Sequence, residues 1–334
     1  MELSEKFHRL NVSCTPDYMP TAIENIESLG TFGIVLISVG AAFTMMTLYF
    51  AIDAIHNVFS QKETGLYKSN VVSIFSVYPI ASVCSLMIIA IPRTQLLSEA
   101  LIQIVLTISL YRLFLLLTDV GRRKNDKTAP LLLRTGPCCC WPCLPFPKLD
   151  MNDSRLAVIR LIVLQLPIVQ GLLFFIMLVV ALDEQKIEPS YLIWFQPFTL
   201  ISILIGIYGL TITNKSLNVV APEAKLRLKT LVTQLALVFS KLQAIIIKLL
   251  VYTGIFPCSP PLPPRVFANV TQSGLLIIEM LLLCIAARHL YYVDLEKEED
   301  SSLKDRSNDK PHGLTNKNDL PEQLSNKIAV VTIS

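Results

Sequence analysis

The stretch LIVLQLPIVQGLLFFIMLVVAL, residues 161–182, runs for twenty-two positions without an ionisable side chain. An α-helix rises about 1.5 Å per residue, so about 20 apolar residues cross the roughly 30 Å hydrocarbon core of a bilayer. Six other segments share this length and character. The full set is residues 31–52, 70–91, 95–118, 157–182, 191–212, 230–256 and 270–293. A water-soluble core would require a polar face on each helix, and most of these segments have none. Lipid offers no partner for backbone N–H and C=O groups, so helices rather than open strands are expected. Composition agrees: 52% of the 334 residues are apolar, and mean hydropathy is +0.54. The expected fold class is an all-α integral membrane protein with seven transmembrane helices.

Residues 1–20, MELSEKFHRLNVSCTPDYMP, are polar. The first apolar run has spanning rather than signal-peptide length, so insertion is expected to rely on the first span. Connections on the amino-terminal side of the membrane carry five Lys and Arg, against nineteen on the other side. The excess belongs in the cytoplasm, which places the amino terminus outside and the carboxy terminus inside. The expected organisation is an extracellular arm over residues 1–29, a membrane domain over 30–293 with a cytoplasmic loop at 119–156, and a tail over 294–334. The tail is charged, polar and poor in aromatics, the composition of a disordered segment. The net charge is only +3, so the basicity reads as membrane topology and no nucleic-acid partner is expected. Of the four sequons, those at Asn11 and Asn269 fall outside and those at Asn152 and Asn214 inside. Asn269 lies too close to the membrane for the transferase, leaving Asn11 as the glycosylation candidate.

Four of the eight cysteines fall within GPCCCWPCLPFP, residues 136–147. Cys140 and Cys143 form a C-x-x-C, which alone is half of a zinc site or a dithiol. A closed zinc site needs four ligands. Cys138 and Cys139 are chain neighbours whose side chains diverge, and neither a nearby His nor a second C-x-x-C completes the set. A helix-opening redox pair is opposed by Pro142, Pro145 and Pro147. In a cytoplasmic loop beside Arg122, Arg123, Lys124 and Lys127, the four cysteines suit S-palmitoylation at the inner leaflet. An unmodified apolar loop and a metal or redox site remain the alternatives. Cys84 and Cys284 lie inside spans and read as buried small hydrophobes. Cys14 and Cys258 both fall in the oxidising compartment and are candidates for a disulfide.

Five basic residues lie within the spans: Arg112, Arg160, Lys241, Lys248 and Arg288. Each costs about 2.5 to 3.5 kcal/mol on insertion scales, so each needs a partner or a purpose. Arg160 and Arg288 are near cytoplasmic ends and can snorkel. Lys241 and Lys248 are spaced i, i+7 and share one helical stripe, which Gln234 extends. By the helical rise, Lys241 lies about 3 Å to the cytoplasmic side of its helix midpoint and Lys248 about 8 Å to the outer side. Glu279, about 3 Å to the outer side of its own midpoint, falls between them in depth, and Glu99 lies nearer the level of Lys248. Two readings stand. One is a Lys–Glu pair that fixes helix packing. The other is a polar stripe along a translocation path, on which a free lysine attracts an anionic head group.

Several families are excluded by missing motifs. The third span lacks a D/E-R-Y triplet, the last lacks N-P-x-x-Y and the sixth lacks C-W-x-P, so the marks of rhodopsin-like receptors are absent. No P-loop, G-x-S-x-G, H-E-x-x-H or G-x-G-x-x-G occurs, which removes the motif basis for an ATP-driven pump or a familiar hydrolase. No internal repeat is visible, which weighs against carriers built on inverted repeats.

The positive landmarks are RTGPCCCWPCLP (134–145), AIPRTQLLSEA (90–100), PCSPPLPP (257–264) and LLIIEMLLLCIAARHLYY (275–292). In order and content they resemble the organic solute transporter alpha-subunit family over about residues 28–293. That resemblance implies a facilitative plasma-membrane carrier of amphipathic organic anions, such as steroid-derived or bile-acid-like solutes. It also implies a single-span beta-type partner, possible homo- or hetero-oligomers in the lipid bilayer, and no cofactor. Cys138, Cys139, Cys140 and Cys143 match the family's cysteine motif, Glu99 and Glu279 its carboxylates, and Cys258 its loop cysteine. The cysteine run here is shorter and is interrupted by Trp141, Leu144 and Phe146. The alternative reading is a seven-helix receptor or lipid-sensing scaffold without transport. A membrane enzyme ranks last, since no nucleophile–base or metal constellation assembles.

Overall fold

A computed structural model describes residues 19–60, 64–124, 130–131, 149–150, 153–184, 189–220, 226–256 and 263–308. Seven long helices account for nearly all of them: α1 (Ala22–Ser60), α2 (Gly65–Ala90), α3 (Gln95–Lys124), α4 (Asp153–Glu184), α5 (Pro189–Val220), α6 (Leu226–Tyr252) and α7 (Pro264–Asn308). Five of the expected spans fall within one helix, while 70–91 runs one residue past the end of α2 and 230–256 four residues past the end of α6; all seven helices are long and apolar enough to cross a membrane. The other five helices outrun their apolar segments because polar residues at the ends keep their i to i−4 bonds once the turn is started. A two-residue antiparallel pair, β1 (Pro130–Leu131) with β2 (Leu149–Asp150), joins the two ends of the long loop between α3 and α4. The chain divides into two compact units after Asp294, and the seven spans belong to the first.

The start of α1 is fixed by a capping box. The Thr21 backbone N–H donates to Glu24 Oε2 at 2.9 Å, and the Glu24 N–H donates to Thr21 Oγ1 at 3.3 Å. These two bonds satisfy two orphan donors of the first turn. The helix breaks at Gly30, where φ is 53° and ψ −138°, a conformation that only glycine adopts cheaply. The apolar run begins one residue later, so the break separates a surface turn from the span. Asn25 ties that surface turn down by donating to the Ile89 carbonyl at the end of α2, at 2.9 Å.

Between α2 and α3 the chain reverses through a 3-10 turn, Pro92–Thr94. Thr94 Oγ1 donates to the Ile91 carbonyl at 2.8 Å, capping a group that the tight turn leaves exposed. The central element is α3, which packs against α2, α4, α5 and α6. It buries Leu106, Leu110, Leu113, Phe114 and Leu117 almost completely. On the other side, α7 meets α1 and α2, with Tyr291 edge-on to Phe75 at 5.2 Å between ring centroids.

Packing between helices relies on small residues and polar bonds, as expected where lipid supplies no hydrophobic drive for association. A Cβ added at Gly206 would overlap Leu166, and one at Gly209 would press on Ile162 and Val163. Those two glycines therefore set the close approach of α4 and α5. Gln165 Nε2 donates to the Ser202 carbonyl at 3.1 Å and Gln170 Nε2 to the Thr199 carbonyl at 3.2 Å across the same contact. In the spans of α1, α4 and α6 only 17–22% of residues are buried, against 50–61% in α2, α3 and α7. Such broad apolar exposure on the peripheral helices would be a liability in water and is ordinary in lipid.

Candidate functional site

Gln234, Lys241 and Lys248 follow one stripe of α6, at the border between its buried face and its exposed apolar face of Val238, Ile245 and Leu249. Lys241 is half-buried, and its Nζ lies 5.9 Å from the centre of the Phe174 ring on α4. The charges that act on Lys241 are Glu99, attractive, and Lys248, repulsive. Among the described residues neither lysine forms an ion pair. Gln234 Nε2 is buried with no acceptor among them. The stripe thus presents three donors of unmet capacity, two of them cationic.

Glu279 bonds to Gln243, which lies between the two lysines along α6, and the structure brings Glu99 to that level as well. Gln103 on α3 donates to Ser240 Oγ on α6 at 3.2 Å, which fixes the register of these antiparallel helices. Four residues back from Gln103 is Glu99, and four residues on from Ser240 is position 244, midway between Lys241 and Lys248. Glu99 is held in place by Gln95, whose Nε2 donates to its Oε1 at 2.8 Å. Gln95 Oε1 in turn accepts from Asn269 on α7. Asn269 is thus helical and its amide is engaged.

Glu279 takes its hydrogen bond from Gln243 Nε2. Gln243 is two residues beyond Lys241, about 160° around the helix. Helical azimuth, which depth does not report, therefore turns Glu279 away from the lysines. Of the two expected carboxylates, Glu99 acts on Lys241 and Glu279 is engaged by Gln243.

The remaining basic residues of the spans are engaged. Arg112 Nη1 donates to Asn70 Oδ1 at 3.5 Å, and Arg160 Nε donates to Tyr111 OH at 3.1 Å. Arg288, expected to snorkel, makes a 2.7 Å ion pair with Asp53 on α1, which also accepts from Tyr292 OH at 2.9 Å. Its guanidinium lies 5.5 Å from the Phe50 ring centre. With side chains 36% and 29% exposed, the pair contributes about 0–1 kcal/mol and serves chiefly to set α1 against α7. The sequence carried its signal: opposite charges at the same ends of the first and last spans.

Cys84 and Cys284 are free and buried, as expected, and Cys284 Sγ donates weakly to the Thr47 carbonyl at 3.7 Å. No group of metal-ligating side chains assembles among the described residues. Asn11, Cys14, Cys138, Cys139, Cys140, Cys143 and Cys258 lie outside the described residues. An apolar groove of about 290 Å³ opens between α1 and α7, lined by Leu29, Phe32, Phe267, Gly274 and Ile278. It is on different helices from the lysine stripe, so groove and cation do not form one pocket.

Seven helices long and apolar enough to cross a membrane define a multi-pass membrane protein. The profile of the family described as Organic solute transporter Ostalpha matches residues 36–296, and the chain belongs to that family of membrane solute transporters. It is similar to the zebrafish (Danio rerio) organic solute transporter subunit alpha, 25% identical with 81% of this chain and 86% of the relative covered. Against the Homo sapiens organic solute transporter subunit alpha it is 26% identical, covering 82% of this chain and 83% of the relative. An organic solute transporter alpha-like protein of Drosophila melanogaster is 23% identical over 86% of this chain and 88% of its own length.

Proposed function

We propose that the protein is a facilitative carrier of amphipathic organic anions, steroid-derived or bile-acid-like in type, and that the α6 stripe holds their anionic head. The observation that carries this reading is the run of unmet donors Gln234, Lys241 and Lys248 beside an apolar, lipid-facing surface. An anion crossing hydrocarbon must lose most of its hydration, and a cation fixed near mid-depth offsets that cost. Lys241 lies against the Phe174 ring and feels Glu99 without forming an ion pair with it. A cation–π contact contributes about 0.5–2 kcal/mol, little enough to be exchanged for a carboxylate or sulfate when one arrives. Lys248, about 10 Å away along the helix axis, meets the head first, Lys241 takes it at mid-depth, and Gln234 Nε2 receives it toward the cytoplasm. The rigid ring system slides along Ile245 and Val238, which demand nothing polar of it.

The same proposal places the amino terminus outside, the protein in the plasma membrane and a single-span beta-type subunit beside it. It also includes acyl chains on Cys138, Cys139, Cys140 and Cys143, a glycan on Asn11 and a disulfide between Cys14 and Cys258. The readouts are hydroxylamine-sensitive acylation lost in the fourfold serine variant, a mobility shift lost in Asn11→Gln, and a non-reducing gel shift lost in Cys14→Ser. Acylation unchanged in the serine variant would sink the lipidation.

Uptake of a labelled steroid sulfate by cells expressing the chain, with and without a coexpressed single-span partner, tests the function. Saturable uptake in at least one condition is expected. No uptake in either, with the protein at the surface, would replace the carrier with the receptor or scaffold reading.

A further inference from the structure

The interior of the bundle holds acceptors that nothing meets. Gln103 Nε2 of α3 donates to Ser240 Oγ of α6 and Gln243 Nε2 of α6 donates to Glu279 Oε1 of α7, and both bonds leave oxygens over. Gln103 Oε1, Gln243 Oε1 and Glu279 Oε2 are buried with no hydrogen-bond partner among the described residues, and so are the hydroxyls of Ser82 and Ser85 on α2. Both serines are 0% exposed and Gln103 is 8% exposed. These groups belong to one region. Ser240 and Gln243 are one turn apart on α6. Ser82 and Gln103 each stand eight residues in from the helix ends that the Pro92–Thr94 turn joins. Tyr78, one turn from Ser82 on the same stripe of α2, has Thr233 of α6 and Cys284 of α7 as neighbours, so that stripe faces those two helices.

An open amide oxygen accepts and cannot donate, and a carboxylate has no hydrogen to give. A buried acceptor without a partner has lost the hydrogens of water and gained none in exchange, which is costly. What the region lacks is donors. Hydroxyls set at several points of a rigid apolar frame supply them without bringing further charge into the membrane interior.

We propose that the open oxygens of Gln103, Gln243 and Glu279, with the Ser82 and Ser85 hydroxyls, form a recognition site for ring hydroxyls that selects polyhydroxylated anions among those carried. This rests on the carrier reading of the α6 stripe and adds its specificity. Gln243 lies between Lys241 and Lys248 along α6, and on the side of the helix that joins Gln243 to Lys248 stand Ala244 and Ile247. The lysine end of this stretch receives the anionic head, the apolar pair lies along the rings, and the acceptor end takes the hydroxyls. Glu279 accepts from a hydroxyl and repels a sulfate or carboxylate, so the head does not take the hydroxyls' place and the molecule enters in one orientation. Nothing else crosses with the solute. The site sets which anion is held as the head meets Lys248, and flux stays downhill.

Two measurements test it. In proteoliposomes holding the full chain, KM is compared for a steroid 3-sulfate that carries several hydroxyls on its far rings and for the same skeleton without them, each corrected for entry into empty liposomes. The wild type is expected to show a KM at least about tenfold lower for the hydroxylated compound, because a site built to bond a hydroxyl leaves its own groups unpaired against the analogue that lacks it. In Glu279→Gln the added amide hydrogens meet open oxygens of the layer, and the ratio of the two KM values falls severalfold, a ratio that does not depend on how much protein is reconstituted. Equal KM values in the wild type, which would leave the layer to water or to packing, or a ratio unchanged in the variant would overturn the proposal. Thermal stabilisation of the purified wild-type chain by each compound repeats the comparison with neither variant nor flux. Half-maximal stabilisation at an about tenfold lower concentration of the hydroxylated compound is expected, and equal concentrations would overturn the proposal. That preference in binding with no flux of either compound would uphold the hydroxyl site and sink the carrier reading, whereas saturable flux of both with equal KM would do the reverse.

Discussion

Lys241→Ala is expected to lower steroid-sulfate uptake by at least about tenfold at equal surface level, equivalent to about 1.4 kcal/mol or more of lost stabilisation of the crossing anion. The lysine is the one stripe cation placed among side chains rather than at the exposed border, with Phe174 and Glu99 around it. Its removal leaves the anion without a partner where hydration is least available. Lys241→Arg keeps the charge and should retain a measurable fraction of the flux, although its planar fork fits the Phe174 contact differently. Lys248→Ala should cost less, because Lys248 is exposed and its field is shared with water or head groups. Saturation curves with surface biotinylation give the comparison. Equal losses in Lys241→Ala and Lys248→Ala would show that position along the stripe does not matter.

Glu99→Gln is expected to act in the opposite direction on binding. Residue 99 keeps an oxygen for the Gln95 amide, so the link through Gln95 to Asn269 survives. What disappears is a negative charge level with the space between the two lysines. At an effective dielectric constant near 20, one unit charge a few ångströms away contributes a few kcal/mol, part of which screening removes. We therefore expect KM for a monoanion to fall by several-fold to about tenfold. The maximal rate should fall as well, since a head group held more tightly is released more slowly. A rise in KM would mean that Glu99 helps rather than opposes the anion.

The seven spans were legible because lipid imposes one requirement on every crossing segment, about 20 apolar residues in helical conformation. Even the break at Gly30 coincides with the start of the first apolar run. The lysine stripe was legible for the same reason, since i, i+7 spacing is a property of one helix. Relations between helices were not. Depth arithmetic placed Glu279 level with the lysines but could not say which way it turned, and the structure shows it engaged by Gln243. Glu99 reaches the same level through a register that only the Gln103–Ser240 contact reveals. The Asp53–Arg288 pair was available to sequence reasoning as opposite charges at matching depth, yet snorkelling accounted for Arg288 without a partner. The apolar groove at Gly274 and the cation at Lys241 belong to different helix pairs, which no property of either segment foretells.

The most direct measurement is tracer influx into proteoliposomes containing the purified chain, comparing the wild type with the Lys241→Ala/Lys248→Ala double variant. Empty liposomes and an added single-span partner complete the set. Saturable influx of a steroid sulfate in the wild type, reduced to the empty-liposome level in the double variant, is the expected result. Undiminished influx in the double variant would contradict a path along the α6 stripe.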